Sequence, residues 1–422
     1  MRVYVLNQRN EPLMPTTPAR ARKLLKENKA EVIKRTPFTI RLLIATGETK
    51  QEIVLGVDAG SKIIGVSAST MNQELYAGEV QLRNDIVDLL STRRQNRRTR
   101  RSGLRYRKPR FLNRVKSKNK GWFAPSIQHK ISSHLKVIEN LHKILPITKI
   151  IVETASFDIQ KIKNPEISGV DYQHGEQLDF WNVREYVLFR DGHKCQNCKG
   201  KLKDKILNVH HIESRKTGGN APNNLITLCE TCHDNFHKGK FELKLKRGTS
   251  FKDAAFMGIM RWAFYSKLKE LYPNVNMTYG YITKNVRIVN HLSKTHYMDA
   301  YCIAGNLKAI HSNIYYYQKK VRCHNRQIHK ANILKSGKKK LNQAPYIVKD
   351  FRLFDKVKYN GIECFITARR QTGYFVLKTL DGAAIHKSAQ VKELTLLEKR
   401  KSYLTERRQA IHPMTEVTGI LA

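Results

Sequence analysis

Two short cysteine pairs, Cys195-x-x-Cys198 and Cys229-x-x-Cys232, enclose a His210-His211 doublet and Asn224, and are followed at once by His233 and His237. Four thiolates on two such knuckles make the closed tetrahedral set of a structural zinc site. The bracketed histidines suit different work. An apolar run over Ile206 to Ile212 predicts a strand, on which adjacent side chains point to opposite faces. One histidine of the doublet can then ligate a catalytic metal while the other meets a water beside a phosphate. His233 and His237 are four apart in a predicted helix, so both can approach the same ion from one face. Together these residues predict a strand, loop and helix cradle for one divalent cation. The 30 residues between Cys198 and Cys229 exceed the usual zinc-ribbon spacing, and the excess is where the histidine strand and the Asn224 loop must sit.

A second constellation is split along the chain. Ile53 to Ala59 is an apolar run carrying one carboxylate, Asp58; Lys62 to Ser69 and Glu74 to Leu82 are further strand-like runs, and the tight joins predict an antiparallel meander. Much later, Lys149 to Thr154 is an apolar run ending in Glu153, and His296-x-x-Asp299 opens an apolar helical segment, Tyr297 to Ile310. An acid at the end of a buried strand must be paired or must hold a cation. Three of them, Asp58, Glu153 and Asp299, suit two magnesium ions, because hard cations take oxygen ligands and a pair can stabilise both the attacking and the leaving oxygen of a phosphodiester. His296, one turn before Asp299, is placed to position or activate the water.

Composition names the partner class. Lys plus Arg total 78 against 35 Asp plus Glu, a formal +43 on 422 residues, and that much like charge opposes compaction unless a polyanion offsets it. The densest part is 93–116. At 100° per residue, Arg93, Arg94, Arg97, Arg98, Arg100 and Arg101 of a predicted helix fall within an arc of roughly 160°, between a start at Asp85 and an end at Gly103. No acid interleaves to form i,i+4 pairs, so phosphate is the better counter-ion. Arg105, Arg107, Arg110 and Arg114, mixed with Tyr106 and Phe111, extend this surface with rings that can stack on unpaired bases. No run approaches a membrane span and Met1 to Asn10 lacks a signal-peptide core, so a cytoplasmic protein is expected. Seven cysteines, three of them scattered (Cys302, Cys323, Cys364), do not make a disulfide framework.

In this order, GVDAGSK, arginine-rich helix, VET, a four-cysteine insertion and H-x-x-D-A, the chain resembles IscB, the transposon-encoded RNA-guided nucleases related to CRISPR type II effectors. Pro12-Leu13-Met14-Pro15 resembles that family's N-terminal PLMP domain. The resemblance implies an α+β multidomain protein: an RNase H-like (RuvC) mixed-sheet core, split by an arginine-rich bridge helix and a zinc-stapled ββα-metal HNH insertion, with a small C-terminal β-barrel. It implies that Asp58, Glu153, His296 and Asp299 form a RuvC-like site with two magnesium ions. In the HNH module it makes His211 the general base, His210 a metal ligand, Asn224 the central asparagine, and His233 and His237 the end of the motif beside one ion. The bridge helix would contact a guide RNA (ωRNA), and a monomeric ribonucleoprotein would act on double-stranded DNA beside a short adjacent motif.

The expected segmentation is a PLMP domain at 1–50, RuvC-like segments at 51–82, 119–160 and 251–317, the bridge helix at 83–118, HNH with its linkers at 161–250, and a basic arm with a target-adjacent-motif-interacting β domain at 318–422. A basic helix is expected from Pro18 to Asn28, linkers near Ile159 to Gly175 and Lys246 to Asp253, and an arm or linker over Lys319 to Lys340. The tail reads as strands: Phe354 to Tyr359, an Asn360-Gly361 turn, Ile362 to Ala368, then Gly373 to Leu380 before Asp381-Gly382. On the loop between strands, Arg369, Arg370 and Gln371 are candidates for groove contact. An unguided endonuclease of the homing or junction-resolving type would not need the bridge helix and basic arms. A non-enzymatic RNA-binding scaffold would not need two complete metal sites.

Overall fold

The computed structural model describes residues 2–102, 122–154, 166, 174, 177–213, 219–240, 252–323, 329–333, 336–337, 339–341 and 345–410. Its contacts divide the chain into two units, one of Met1–Ile86, Leu112–Ala155 and Met260–Ala422, the other of Val87–Phe111 and Ser156–Ile259.

The first unit begins with β1 (Val3–Leu6), β2 (Pro12–Thr16), α1 (Pro18–Lys26), β3 (Ala30–Lys34) and β4 (Thr39–Leu42), in the sheet order β2-β1-β4-β3. Thr17 caps α1 by accepting from the Arg20 amide, and Pro18 supplies the preset φ of a first helical position. The helix stops at Lys26, two residues short of the expected Asn28, because Asn28 takes φ 53. Ala21 packs under the sheet with Val3, Val5, Ile40 and Leu42.

The mixed sheet at the centre of this unit is built from β5 (Val54–Ala59), β6 (Ile63–Ser69), β7 (Glu74–Gln81) and β8 (Lys149–Glu153); between β7 and β8 in the chain come α2 (Ile86–Ser102), which from Val87 on belongs to the second unit, and α3 (Pro125–His142). Then come α4 (Val183–Arg190), β9 (Leu207–His211), β10 (Leu225–Cys229) and α5 (Glu230–His237), all of the second unit, followed by α6 (Lys252–Leu271), β11 (Val275–Thr278), α7 (Gly280–Val289), α8 (His296–Ala304) and β12 (Ile314–Lys320). The short strands β13 (His329–Ile333) and β14 (Lys339–Leu341) pair together, as do β15 (Ile347–Val348) and β16 (Phe351–Arg352). The chain continues as β17 (Lys356–Tyr359), β18 (Ile362–Arg369), β19 (Tyr374–Lys378), β20 (Ala384–Gln390), β21 (Thr395–Glu398) and β22 (Tyr403–Gln409).

Seven strands form the central sheet in the order β11-β8-β5-β6-β7-β12-β22. The meander β5-β6-β7 is antiparallel as expected, while β8 joins β5, β11 joins β8 and β12 joins β7 in parallel. A nearly unbroken apolar run is what a strand covered on both faces needs, and β5 has one; Leu55 and Val57 are fully buried. Helix α8 lies directly on β5 and β6. A Cβ on Gly56 would fall 2.0 Å from the Ala300 carbonyl oxygen, and one on Gly65 1.9 Å from that of His296, so only glycine allows this approach. The expected helix Tyr297 to Ile310 ends at Ala304, where Gly305 takes φ 82 and closes it as a left-handed cap.

Five strands of the tail form an antiparallel sheet in the order β20-β19-β18-β17-β21 over a core of Val357, Cys364, Ile366, Phe375 and Leu377. Its edge strands β20 and β21 are not paired with each other. The expected turn is present, with Asn360 at φ 45 and Gly361 at φ 82, the two positive values of a type I′ hairpin. Two expectations need correction. Within Lys319 to Lys340, the first two residues end β12 and two short strands follow, and Lys252 and Asp253, expected in a linker, begin α6. The remainder of that linker, almost all of Ile159 to Gly175, and Arg105, Arg107, Arg110 and Arg114 lie outside the described residues. No described helix is long and apolar enough to cross a membrane.

Candidate metal centres

In the second unit, β9 and β10 pair antiparallel so that His210 faces Ile226 across the ladder and His211 faces Leu225. Helix α4, capped by Asn182, anchors this hairpin: Arg190 donates to the carbonyls of Pro222 (2.7 Å) and Leu225 (2.9 Å), and the Asp191 carboxylate accepts from the Thr227 amide at 2.8 Å. Cys195, Cys198, Cys229 and Cys232 converge, with their sulfur atoms within 4.8 Å of one another. The Cys198 and Cys229 sulfurs lie 3.8 Å apart, far beyond a disulfide and close to the edge of a tetrahedron with about 2.3 Å zinc–sulfur bonds. The donor set fits zinc.

The strand sends its two histidines to opposite faces, as alternation requires. His210 is buried against α5, where His233 and His237 stand one turn apart with their Nε2 atoms 3.2 Å from each other. The three rings supply ligand atoms within 4.8 Å, and with Val209, His211, Ile212 and Phe236 they line a cleft of about 450 Å³. Burial, then the neighbouring imidazoles, push His210 down to about 4, which keeps it neutral as a metal ligand must be. His211 points the other way, and its Nε2 lies 3.0 Å from the Asn220 side-chain oxygen. Asn220 was not singled out in the sequence; an Asn in a Gly-Gly-Asn turn carries no local signal for this contact.

Asn224 takes a different place from the histidines. It is fully buried, accepts from the Glu213 amide (2.9 Å) and donates to the carbonyls of Glu213 (3.0 Å) and Gly219 (2.9 Å). These bonds tie Asn224 to both Glu213 and Gly219 in the loop between β9 and β10.

In the first unit, parallel pairing of β5 with β8 sets Asp58 directly beside Glu153, and pairing of β8 with β11 sets Glu153 beside Thr278. Helix α8 brings His296 and Asp299 to the same end of the sheet. His296 Nδ1 lies 2.6 Å from Asp58 Oδ2, and this bond raises the histidine's pKa. Burial raises Asp299, with Asp58 adding to the rise, while Arg287 opposes it from 3.0 Å. Glu153 is pushed up to about 7, first by burial and further by Asp58 and Asp299, against a hydrogen bond from Thr283. Asp58, Glu153 and Asp299 thus lie together at one end of the sheet, with His296 on Asp58 and Arg287 on Asp299 as their cationic neighbours. Glu79, Thr283 and Arg287 were missed in the sequence. Glu79 accepts from the His296 amide at 3.0 Å, fixing the start of α8, and only the packing of a distant helix on β7 reveals it. A larger cavity of about 530 Å³, lined by Lys34, Lys320, Lys401 and Tyr403 among others, contains none of these groups.

Elsewhere, Arg93, Arg94, Arg97 and Arg98 are exposed on α2, and Arg100 and Arg101 belong to the same helix. Arg369 ends β18 and donates to the Tyr346 carbonyl; Arg370 reaches the Ser388 hydroxyl at 3.5 Å, and Gln371 is exposed.

Residues 3–175 match the family model described as RRXRR protein, and residues 195–239 match that described as HNH endonuclease. No curated protein matches the chain. Among solved structures, Streptococcus thermophilus Cas9 in complex with the AGAA PAM is similar over 50% of this chain and 30% of that one, at 13% identity and a TM-score of 0.31. The same protein with the GGAA PAM gives 14% identity and a TM-score of 0.32 over the same shares. The chain thus spans about a third of the length of these structures. An RRXRR region thus lies ahead of an HNH endonuclease domain, and the residues matched to that domain carry both the cysteine and the histidine clusters.

Proposed function

We propose that the protein is an RNA-guided DNA endonuclease in which the HNH site cuts the DNA strand paired to guide RNA and the Asp58 cluster, as a RuvC-like site on an RNase H-like core, cuts the displaced strand. The observation that supports this reading is the pairing, in one strongly basic chain, of a three-histidine cluster on the strand that carries His211 in one unit with Asp58, Glu153, Asp299 and His296 at one end of the sheet in the other. In the HNH site His211 takes the proton of the attacking water, held in orientation by Asn220, while His210, His233 and His237 hold one divalent ion. In the RuvC-like site Asp58, Glu153 and Asp299 hold two magnesium ions and His296, tethered to Asp58, positions the water. Bound cations there would polarise the phosphodiester and neutralise charge developing on its oxygens. Cys195, Cys198, Cys229 and Cys232 hold a structural zinc. The arginines of α2 and 103–116 take guide-RNA phosphates, and Arg369, Arg370 and Gln371 face the adjacent duplex motif.

The test is strand-specific. Protein isolated with its bound RNA, given a supercoiled plasmid matched to that RNA, should cut both strands; Asp58→Ala should cut only the strand paired to RNA, and His211→Ala only the displaced one. Protein stripped of RNA that cuts the same DNA equally well would overturn the guided reading. Loss of both cuts in Asp58→Ala would mean one shared centre.

A further inference from the structure

The edge of the Asp58 cluster carries an aromatic feature that no step above uses. Gly280, the first residue of α7, touches Glu153 so closely that a Cβ would lie 2.8 Å from the carboxylate oxygen Oε1. The residues on either side are Tyr279 and Tyr281, 41% and 66% exposed, with rings nearly parallel at an interplanar angle of 11° and centroids 6.0 Å apart. Consecutive Cα atoms are only about 3.8 Å apart, so the backbone of Tyr279 and Tyr281 flanks the residue that meets Glu153. Thr283, in the first turn of the helix, is buried, and its hydroxyl donates to the Tyr279 carbonyl at 3.5 Å. Lys284, one turn beyond Tyr281, is exposed on the same face of α7.

Two exposed parallel rings cost hydrophobic burial and add nothing to the core, but they match what an unpaired base needs. Every base has a π-face, stacking is indifferent to sequence, and a lysine beside the rings meets the phosphate of the same nucleotide. A base inside a duplex has both faces covered by its neighbours and cannot use such a surface. We propose that Tyr279 and Tyr281, with Lys284, form a stacking subsite for an unpaired base of single-stranded DNA next to the scissile phosphate, so that this site accepts a strand only after it has left the duplex. The inference rests on the Asp58 cluster being the RuvC-like site.

The experiment reads only that site. In a His211→Ala background, the isolated ribonucleoprotein is given its matched DNA and cleavage of the displaced strand is timed against substrate concentration. Tyr281→Ala should reduce kcat/KM roughly tenfold and the Tyr279→Ala/Tyr281→Ala double variant further, mainly through KM, whereas Tyr281→Phe, which keeps the ring, should stay near the parent. Single abasic sites stepped through the displaced strand should slow the parent at one or two positions beside the cut and have no added effect on the double variant. Asp58→Ala must abolish this cut; if it does not, the assignment of the site fails, independently of the tyrosines. If Asp58→Ala abolishes the cut while the tyrosine variants keep the parent KM and the parent's abasic profile, the stacking subsite is wrong.

Discussion

Asn224 and Asn220 show how two side chains of one type divide the work in the loop that follows the histidine doublet. Asn224 makes three hydrogen bonds from a fully buried position, and removing it leaves an amide and two carbonyls unpaired, at a cost of about 1–3 kcal/mol for each group that water cannot reach. Asn220 meets His211 through its side-chain oxygen. We expect Asn224→Ala to lower both the melting temperature of the HNH unit and its nicking rate, and Asn224→Asp not to rescue it, because a carboxylate cannot donate to the two carbonyls. Asn220→Ala should slow nicking at least several-fold with the melting temperature unchanged. Calorimetry alongside single-strand nicking kinetics separates the two; an Asn220→Ala enzyme as fast as the parent would show that His211 needs no orientation from it.

At the scale of elements, α3 buries a titratable row. His134 is fully buried, tilted against Phe264 at 5.2 Å, and its Nδ1–H donates to the Lys130 carbonyl at 2.8 Å. Burial pushes it down to about 4, as it does His129. Between pH 6.5 and 4 the unfolded chain takes up protons that the folded helix refuses, so the first unit should lose stability as pH falls through that window. For His134 the loss from pH 6.5 to 4.5 is on the order of 2 kcal/mol. Denaturant unfolding at several pH values checks this. His134→Leu should flatten the acid limb relative to the parent, and an unchanged limb would place the titration elsewhere.

Across the whole molecule, the two units differ in what holds them. The first rests on a seven-stranded sheet covered by α8, with a fully buried core that includes Leu55, Ile64, Ile131 and Ile150. The core around the histidine hairpin is small, and three of the four cysteines are themselves among its buried residues. Metal binding to such a site is folding free energy for the module. Cys195→Ser or Cys229→Ser should therefore unfold the HNH unit, seen as lost hydrogen-exchange protection over 183–237, while the central sheet keeps its own. Metal analysis of the parent should give one zinc per chain. Mutants that keep both protection and nicking would contradict the zinc role.

Much of this was legible in the sequence where chemistry demands fixed spacing. Two C-x-x-C pairs, alternation along a strand and the four-residue repeat of a helix are local rules, and they located the cysteine cluster, the opposed faces of His210 and His211, and the shared face of His233 and His237 before any fold was known. Apolar runs ending in single acids likewise marked Asp58 and Glu153. Tertiary structure alone decided what the local pattern does not show: Glu79 on the amide of His296, Arg287 on Asp299 and Asn220 on His211. It also turned Asn224 into a clamp and showed why Gly56 and Gly65 are glycines, since the backbone atoms that exclude a Cβ belong to α8. Hydrophobic periodicity says which face of an element is buried, but not which distant backbone will pack so closely on it that a Cβ has no room.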